Sequence, residues 1–202
     1  MKKYEIDSEL AKLTKQKAPS NIHLYPIVNM AMKLSACESD DKVTVKKYVT
    51  PGYKSGKLST FVIEPKKHSG ILPCIVFYHG GGFLLKASRA HYQIAKWYAE
   101  MAKCKVVFTD YRLLPKNKYP VPVEDCYCTY KWILNYADTL EINKDKIIVT
   151  GDSAGGNLAA AVTLMLWDRI HISPLGAMLI YPVTDRRMIT ESMKKYTDTP
   201  VW

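Results

Sequence analysis

A serine flanked by glycines at fixed spacing is the strongest chemical signal in the chain. Residues 151–155 read Gly-Asp-Ser-Ala-Gly, with Ser153 at the centre. A sharp turn there would hold the serine in a strained conformation with its hydroxyl exposed, and Gly151 and Gly155 would leave room for it. The N–H of Ala154, in the first turn of a following helix, would then face the place where an oxyanion forms. The spacing therefore indicates nucleophilic catalysis by Ser153.

The segments on either side of this turn favour that interpretation over two simpler ones. An apolar run at 147–149 precedes the turn, and apolar residues at helical spacing follow it: Leu158, Ala161, Val162, Met165 and Leu166. The first simpler interpretation, a loop that is merely rich in glycine and serine, does not require a strand before it or a helix after it. Trypsin-like proteases also carry Gly-Asp-Ser-Gly-Gly, but among short antiparallel strands. The order strand, turn, helix is typical of a nucleophile elbow.

A second glycine cluster lies directly after the apolar strand predicted at 74–78. Residues 79–83 read His-Gly-Gly-Gly-Phe, and three glycines at the end of a strand allow backbone N–H groups to face a ligand. No Gly-Lys-Ser/Thr follows and the Gly-x-Gly-x-x-Gly spacing is absent, which argues against a phosphate or dinucleotide loop. Together with the serine turn, the cluster predicts an oxyanion hole. A glycine-rich loop with a structural histidine is the simpler alternative.

The remaining pattern predicts an α/β fold, a mostly parallel sheet with helices on both faces. Two strands of antiparallel character come first, and strands then alternate with helices. The predicted strands lie at 43–49, 58–63, 74–78, 106–109, 146–150 and 177–181. Residues 1–41, with helical stretches at 8–17 and 26–37, are expected to form a helical cap or surface arm on a core of residues 42–202.

Two of the predicted helices have recognisable starts and apolar faces. Ser88 is the expected N-cap of the helix after the glycine cluster, and Pro122 fits the first turn of the next one. The first of these helices is expected to bury Ile94, Trp97, Tyr98 and Met101. The second is expected to bury Val123, Cys126, Tyr127, Tyr130 and Leu134.

Composition argues against several other classes of protein. The net charge of +10 comes from scattered lysines without a block of five basic residues, so we expect no nucleic-acid partner. The five cysteines form no Cys-x-x-Cys pattern, which favours reduced thiols in a cytoplasmic protein over disulfides or a metal site. No secretory signal is expected near the N-terminus, and no apolar run reaches the ~18–20 residues that span a bilayer.

These motifs together resemble those of the α/β-hydrolases, and within them the hormone-sensitive-lipase-like esterases. The resemblance covers the chain from about residue 43 to its end. It is carried, in the order of the family, by the residues at 79–83, 110–115, 119–120, 124–125, 151–157 and 181–182. It implies an α/β-hydrolase fold that hydrolyses esters with small or medium acyl groups, without a metal or organic cofactor.

The resemblance also implies a role for each motif residue. Ser153 would be the nucleophile, and the N–H groups of Gly80, Gly81 and Ala154 would form the oxyanion hole. The histidine of the glycine cluster would be a structural hydrogen-bonding residue and not the catalytic base. Support for the two motifs would come from His79, Gly82, Gly151, Asp152 and Gly155.

The chain departs from the family pattern in its catalytic base. In this fold the nucleophile is followed by an acid and then by a histidine, yet His171 is the only histidine after Ser153. It would lie at the far end of the elbow helix, more than ~20 Å away. Asp185 is the nearest candidate acid and is interpreted as a loop or cap residue. We therefore expect the triad acid and histidine and the last strands to be missing from a chain truncated at Trp202, with impaired activity.

Two functions of other classes remain open at this point. An oxyanion hole without a base could bind an ester or carboxylate without hydrolysing it. The strand at 177–181 would form an apolar sheet edge, which favours association with a second copy or with a complementing piece of the fold. Neither the acyl length and alcohol of the substrate nor the oligomeric state is specified by the sequence.

Overall fold

A six-stranded sheet forms the centre of the protein. The computed structural model describes residues 7–10, 21–32, 37–185 and 187–195. The strands are β1 (Val43–Pro51), β2 (Lys57–Pro65), β3 (Leu72–Tyr78), β4 (Lys105–Asp110), β5 (Ile142–Asp152) and β6 (Gly176–Ile180). They lie in the order β1-β2-β4-β3-β5-β6. β2 pairs antiparallel with β1 and with β4, whereas β4, β3, β5 and β6 are parallel.

The alternation of side chains along the strands creates two separate apolar cores. On β3, Val76 and Tyr78 join one core, and Ile75 and Phe77 join the other. Helices cover both faces, and the bounds are α1 (Tyr25–Met32), α2 (Arg89–Ala102), α3 (Val121–Tyr136), α4 (Ala154–Ile170) and α5 (Glu191–Lys195). Residues of α3 and α4 line the first core, and residues of α2 line the second. The predicted α/β fold class and the six predicted strands are confirmed.

Helix α2 buries only part of the predicted face, since Ile94 and Tyr98 pack partly buried against the second core. Trp97 and Met101 are 51% and 79% exposed, whereas Ala95 and Ala99 are fully buried. The reason lies in the sheet beneath, where Phe77 and its aromatic neighbours already fill the space, so the helix approaches with small side chains. The prediction for α3 holds better, since Cys126, Tyr127 and Tyr130 are buried. Ser88 does precede α2, as predicted.

The N-terminal region is described in part. A single 3₁₀ turn spans Ser8–Leu10, and the rest of the helix predicted at 8–17 lies outside the described residues. The second predicted helix is observed as α1, although its predicted end at 33–36 also lies outside them. The Asn29 side chain of α1 donates to Leu84 O at 2.7 Å and accepts from Lys86 N–H at 2.8 Å. None of the helices that the structure describes is long and apolar enough to cross a membrane.

Candidate active site

Ser153 lies in the tight turn between β5 and α4. Its φ of 52° and ψ of −116° fall in a region that residues other than glycine rarely occupy. Backbone hydrogen bonds hold the turn from two sides. The N–H of Ser153 donates to Ile180 O at 2.9 Å, and its carbonyl accepts from Asn157 and Val183 at 3.1 and 3.2 Å. The strained conformation is therefore maintained by α4 and by the end of β6.

The two glycines of the turn occupy positions where no side chain fits. A Cβ on Gly155 would overlap the carbonyl oxygen of Tyr78, and a Cβ on Gly151 would overlap the backbone of Gly155. The elbow thus presses against the end of β3, where the glycine cluster begins. This is the crowding that the sequence predicted at both positions.

The glycine cluster forms a closed turn next to the elbow. Gly81 and Gly82 have φ values of 116° and 62°, which favour glycine. The Gly81 carbonyl accepts from Leu84 N–H at 3.0 Å and from Leu85 N–H at 2.9 Å. A Cβ on Gly81 would also approach Leu85 O to 2.8 Å, while one on Gly82 would meet nothing within 4 Å. Gly81 is therefore required by space and conformation, and Gly82 by conformation alone.

Gly80, predicted as an oxyanion-hole donor, has its N–H engaged by a residue of the elbow. Its N–H donates to Asp152 Oδ1 at 3.0 Å, so the one donor of this residue is already engaged. A Cβ on Gly80 would overlap the Asp152 carboxylate. Gly80 and Asp152 therefore form the closest junction between the glycine cluster and the elbow. Sequence spacing could not have shown this contact, because it joins residues 72 positions apart.

His79 is fully buried behind the glycine cluster. Its Nδ1 donates to Gly80 O at 2.7 Å, and its ring stacks on Tyr111 with a centroid distance of 4.5 Å. Burial disfavours the charged form and lowers the pKa of His79 to about 4. Because burial disfavours protonation of His79 and its ring lies in the core, we do not expect it to act as a general base near pH 7.

Asp152 links the elbow to α2. Its Oδ2 lies 3.3 Å from His91 Nε2, in addition to the Gly80 contact at Oδ1. Burial alone raises the pKa of Asp152, but the hydrogen bonds from His91 and Gly80 outweigh burial and hold this pKa below its usual value. Asp152 is therefore ionised at neutral pH. The sequence prediction that this residue supports the elbow did not include His91 as its partner.

Ser153 opens onto a cavity of about 370 Å³. The other residues that line it follow β6 in the chain: Tyr181, Pro182, Val183, Thr184, Asp185, Met188, Thr190 and Met193. A second, more apolar cavity of about 390 Å³ lies between Phe83 of the glycine cluster and one side of α4, from Asn157 to Asp168. Ser153 thus has open space next to it on the C-terminal edge of the sheet, where α/β enzymes bind ligands.

No histidine forms a hydrogen bond with Ser153 in the part of the chain that the structure describes, which includes all five histidines. His171 forms the C-cap of α4, at the opposite end of its 17 residues, ~25 Å from Ser153. His91 is held by Asp152, and His79 is buried. The structure therefore does not bring a candidate base to the serine.

The Asp185 carboxylate forms an ion pair with Arg187. Arg187 donates to both carboxylate oxygens, from Nε at 2.9 Å and from Nη2 at 2.7 Å. These bonds hold the pKa of the Asp185 carboxyl below its usual value. The arrangement agrees with the interpretation of Asp185 as a loop residue. Within the described residues, no group of three or more His, Cys, Asp or Glu side chains could hold a metal ion.

Comparison with known proteins adds an independent line of evidence. A family described as alpha/beta hydrolase fold matches residues 75–202. The chain is 35% identical over 131 residues to Carboxylesterase NlhH of Mycobacterium tuberculosis, which covers 64% of this chain and 41% of that protein. It is 33% identical over 122 residues to an Arylesterase of Saccharolobus solfataricus, with 60% and 40% covered. The chain thus spans about two fifths of the length of these curated relatives.

Solved structures show the same similarity in three dimensions. The structure titled Bacterial Heroin Esterase superposes with a TM-score of 0.85 and 28% identity, over 98% of this chain and 64% of that one. A Pyrobaculum calidifontis esterase superposes with a TM-score of 0.73 and 32% identity, over 88% and 59% of the two chains. The order of strands and helices described above is therefore shared with solved esterases.

Proposed function

Since the chain belongs to the alpha/beta hydrolase fold family, and several of its relatives are carboxylesterases, we propose that it carries the nucleophile of a carboxylic-ester hydrolase. Ser153 attacks the ester carbonyl, the alcohol leaves, and water then cleaves the acyl-enzyme. The observation that carries this proposal is the strained Ser153 backbone at the start of α4, next to a cavity. Cavities of 370–390 Å³ support esters with small or medium acyl groups as substrates.

We assign the oxyanion hole to the N–H groups of Gly81, Gly82 and Ala154. In a trans peptide the N–H and the preceding C=O point to opposite sides. The Gly80 carbonyl accepts from the His79 ring and the Gly81 carbonyl accepts inside the loop, so the N–H groups of Gly81 and Gly82 point away from those partners. Ala154 is the first residue of α4, where N–H groups lack intrahelical acceptors. In this proposal Gly82 takes the place that the sequence prediction gave to Gly80, because the Gly80 N–H already donates to Asp152.

We propose that turnover is residual, because no histidine in the described part of the chain forms a hydrogen bond with Ser153. A serine hydroxyl without a base is a weak nucleophile. In a well-studied serine hydrolase, loss of a triad member leaves a rate ~10³–10⁴ above water, from the oxyanion hole and binding alone. Among the described residues, the His79 and His91 rings are engaged with Gly80 and Asp152, and His171 lies at the far end of α4, which supports this proposal.

A paired assay tests the assignment of the nucleophile. The full chain is incubated with an organophosphonate and its intact mass is measured, alongside turnover of p-nitrophenyl acetate and butyrate. We expect a slow, single adduct that Ser153→Ala abolishes and that Ser69→Ala, in an exposed loop, retains. An undiminished adduct on Ser153→Ala would refute the nucleophile. Rapid turnover by the chain alone would refute the absence of a base.

A non-catalytic binding role is the second candidate, because the described part of the site combines a cavity and proposed oxyanion donors with no histidine hydrogen-bonded to Ser153. It is tested by equilibrium dialysis with p-nitrophenyl butyrate and with butyrate, followed by analysis of the products. Saturable binding without p-nitrophenol release would favour this role. Release of p-nitrophenol that depends on Ser153 would favour the hydrolase.

The edge of the sheet supports a third candidate, assembly with a second copy. β6 pairs with β5 on one side, and Met178 and Leu179 on this strand are each 39% exposed. An apolar edge strand favours pairing with another chain. Assembly and catalysis are not exclusive, since the end of β6 also holds the Ser153 turn.

Two further proposals concern organisation and compartment. We propose that residues 1–41 form a cap or arm on the core of residues 42–202, supported by the hydrogen bonds of Asn29 to the loop after the glycine cluster. We also propose a reducing, cytoplasmic compartment, supported by five cysteines that are all unpaired.

A further inference from the structure

We infer that His91 is a positioning residue that sets the glycine cluster against the elbow by holding the Asp152 carboxylate. His91 lies in the first turn of α2, twelve residues after His79 in sequence. No motif assigns it a role, and its hydrogen bonds among the described residues go to Ser88 and Asp152 and not to Ser153. Its contacts nevertheless connect three parts of the site: the start of α2, the elbow and the glycine cluster.

The hydrogen bonds of His91 determine which of its nitrogens carries the proton. Ser88 N–H lies 3.0 Å from Nδ1, and a backbone N–H can only donate, so Nδ1 is the acceptor. The proton of the neutral ring must then lie on Nε2, which faces Asp152 Oδ2 at 3.3 Å. His91 therefore donates to the carboxylate, with its tautomer set by the start of α2.

The second oxygen of Asp152 transmits this constraint to the oxyanion site. Oδ1 accepts the N–H of Gly80 at 3.0 Å, directly before the proposed donor Gly81. With one oxygen held by His91 and the other by Gly80, the carboxylate cannot rotate without losing both bonds. Asp152 is also the residue directly before Ser153. One carboxylate therefore fixes the position of the donor loop relative to the nucleophile. Such support is what keeps oxyanion donors in place before the reaction.

A purely structural role in capping α2 is the competing explanation, and the chain allows the two roles to be separated. Ser88 and His91 occupy the positions of a capping box, in which glutamate and glutamine are the usual partners of serine. His91→Glu keeps an acceptor for the Ser88 N–H but places a negative charge against Asp152. His91→Gln keeps that acceptor and also offers an amide N–H to the carboxylate.

Hydrogen–deuterium exchange of the full chain provides the test, read by mass spectrometry on the peptide that covers residues 79–86. We expect exchange in this peptide to rise at least about tenfold in His91→Glu and to stay near wild type in His91→Gln. A tenfold change corresponds to about 1.4 kcal/mol, the scale of one hydrogen bond to a charged group. Peptides from α2 should be equally protected in both variants. If His91→Glu fails to fold, Asp152→Asn tests the same link without altering the cap.

Two results would overturn the inference. Wild-type protection of residues 79–86 in both His91→Glu and Asp152→Asn would show that the carboxylate contact does not hold the loop. Equal loss of protection in His91→Glu and His91→Gln would assign His91 to the helix start alone. The inference rests on the proposed function for the importance of the loop, but the exchange measurement needs no turnover. A missing phosphonate adduct with a clear Glu–Gln difference would reject the nucleophile and keep the positioning role.

Discussion

Gly155, in the first turn of α4, lies directly against the carbonyl oxygen of Tyr78 at the end of β3, and a Cβ at this position would overlap that oxygen. The contact joins the end of β3 to the start of α4, because Tyr78 precedes the glycine cluster and Gly155 follows Ser153. The approach of backbone to backbone leaves no flexible side chain to move aside. The geometry of the site is therefore sensitive to a single methyl group.

Gly155→Ala is expected to destabilise the protein by about 3 kcal/mol, at the upper end of what overpacking costs. The matched control is Gly176→Ala, where the nearest atom to a new Cβ is Ile148 Cγ2 at 3.7 Å. The control should change stability by no more than about 0.5 kcal/mol. Urea unfolding followed by circular dichroism measures both. Equal stability of the two variants would contradict the crowding at the elbow.

Asp125→Ala is expected to cost about 3–5 kcal/mol, because it leaves a partly buried arginine without its counter-charge. Asp125 is fully buried and accepts from Arg112 Nη2 at 2.6 Å, from Arg112 Nε at 2.8 Å and from Tyr53 N–H at 2.9 Å. Glu191→Ala removes an exposed pair with Lys194 and should change stability by less than about 1 kcal/mol. Thermal and urea unfolding compare the two, and a similar small effect in both would show that the Asp125 cluster is not structural.

The ionised Glu64 side chain should stabilise the fold above about pH 4, and this contribution to the free energy of unfolding should disappear at lower pH. Burial alone raises the pKa of Glu64, but Lys105 and Lys46 outweigh burial and hold this pKa below its usual value. A carboxyl with a depressed folded pKa stabilises the fold above its unfolded pKa, and the contribution disappears as pH falls through the folded pKa. Glu64→Gln should therefore be less stable than wild type at pH 7 and approach it at pH 3.

Urea unfolding across pH 3–7 measures this difference. Glu141→Gln is the matched control, since Glu141 contacts the same Lys105 at 3.4 Å but its side chain is 57% exposed. Its effect should be smaller at every pH. A pH-independent difference between Glu64→Gln and wild type would contradict the ion pair as its source.

Cys128 is expected to be the one cysteine that reacts readily in the folded protein. The other four are buried, and burial raises the pKa of Cys37 and of Cys104 to about 11. Burial also raises the pKa values of Cys74, Cys126 and Cys128. Cys128 differs from the others because it is only partly buried and therefore accessible to reagent. Intact mass after brief exposure to iodoacetamide at pH 8 should show a single adduct, which Cys128→Ser removes. Five adducts without denaturant would contradict the buried placement of the others.

Association through β6 should raise the mean mass of the wild-type chain as its concentration increases, and Leu179→Lys should suppress that rise. A charge on an edge strand opposes pairing with another edge. Ile71→Lys is the matched control, because Ile71 is 65% exposed but lies outside the strands. Light scattering over a concentration series measures the mass. A monomeric wild type at all concentrations would count against the proposed assembly.

Much of the fold could be predicted from local patterns. Apolar runs and glycine positions placed all six strands and the turn at Ser153, because strand and helix periods and turn sterics act over a few residues. The same local signals identified Ser88 as the start of α2. They failed on the buried face of α2, where Trp97 and Ala95 lie on competing faces and the aromatic residues of the sheet decide between them.

The sequence by itself thus determined which residue types stand at the site: a serine in an elbow, a glycine cluster after β3, and no further histidine than His171 beyond the elbow. Only the tertiary structure decided how they are used. In the folded chain the Gly80 N–H donates to Asp152, and His91, 61 positions before Asp152 in sequence, contacts the same carboxylate. His171 lies at the far end of α4. The physical reason is that each donor and acceptor takes whichever partner packing brings within hydrogen-bond distance, and packing depends on the whole sheet.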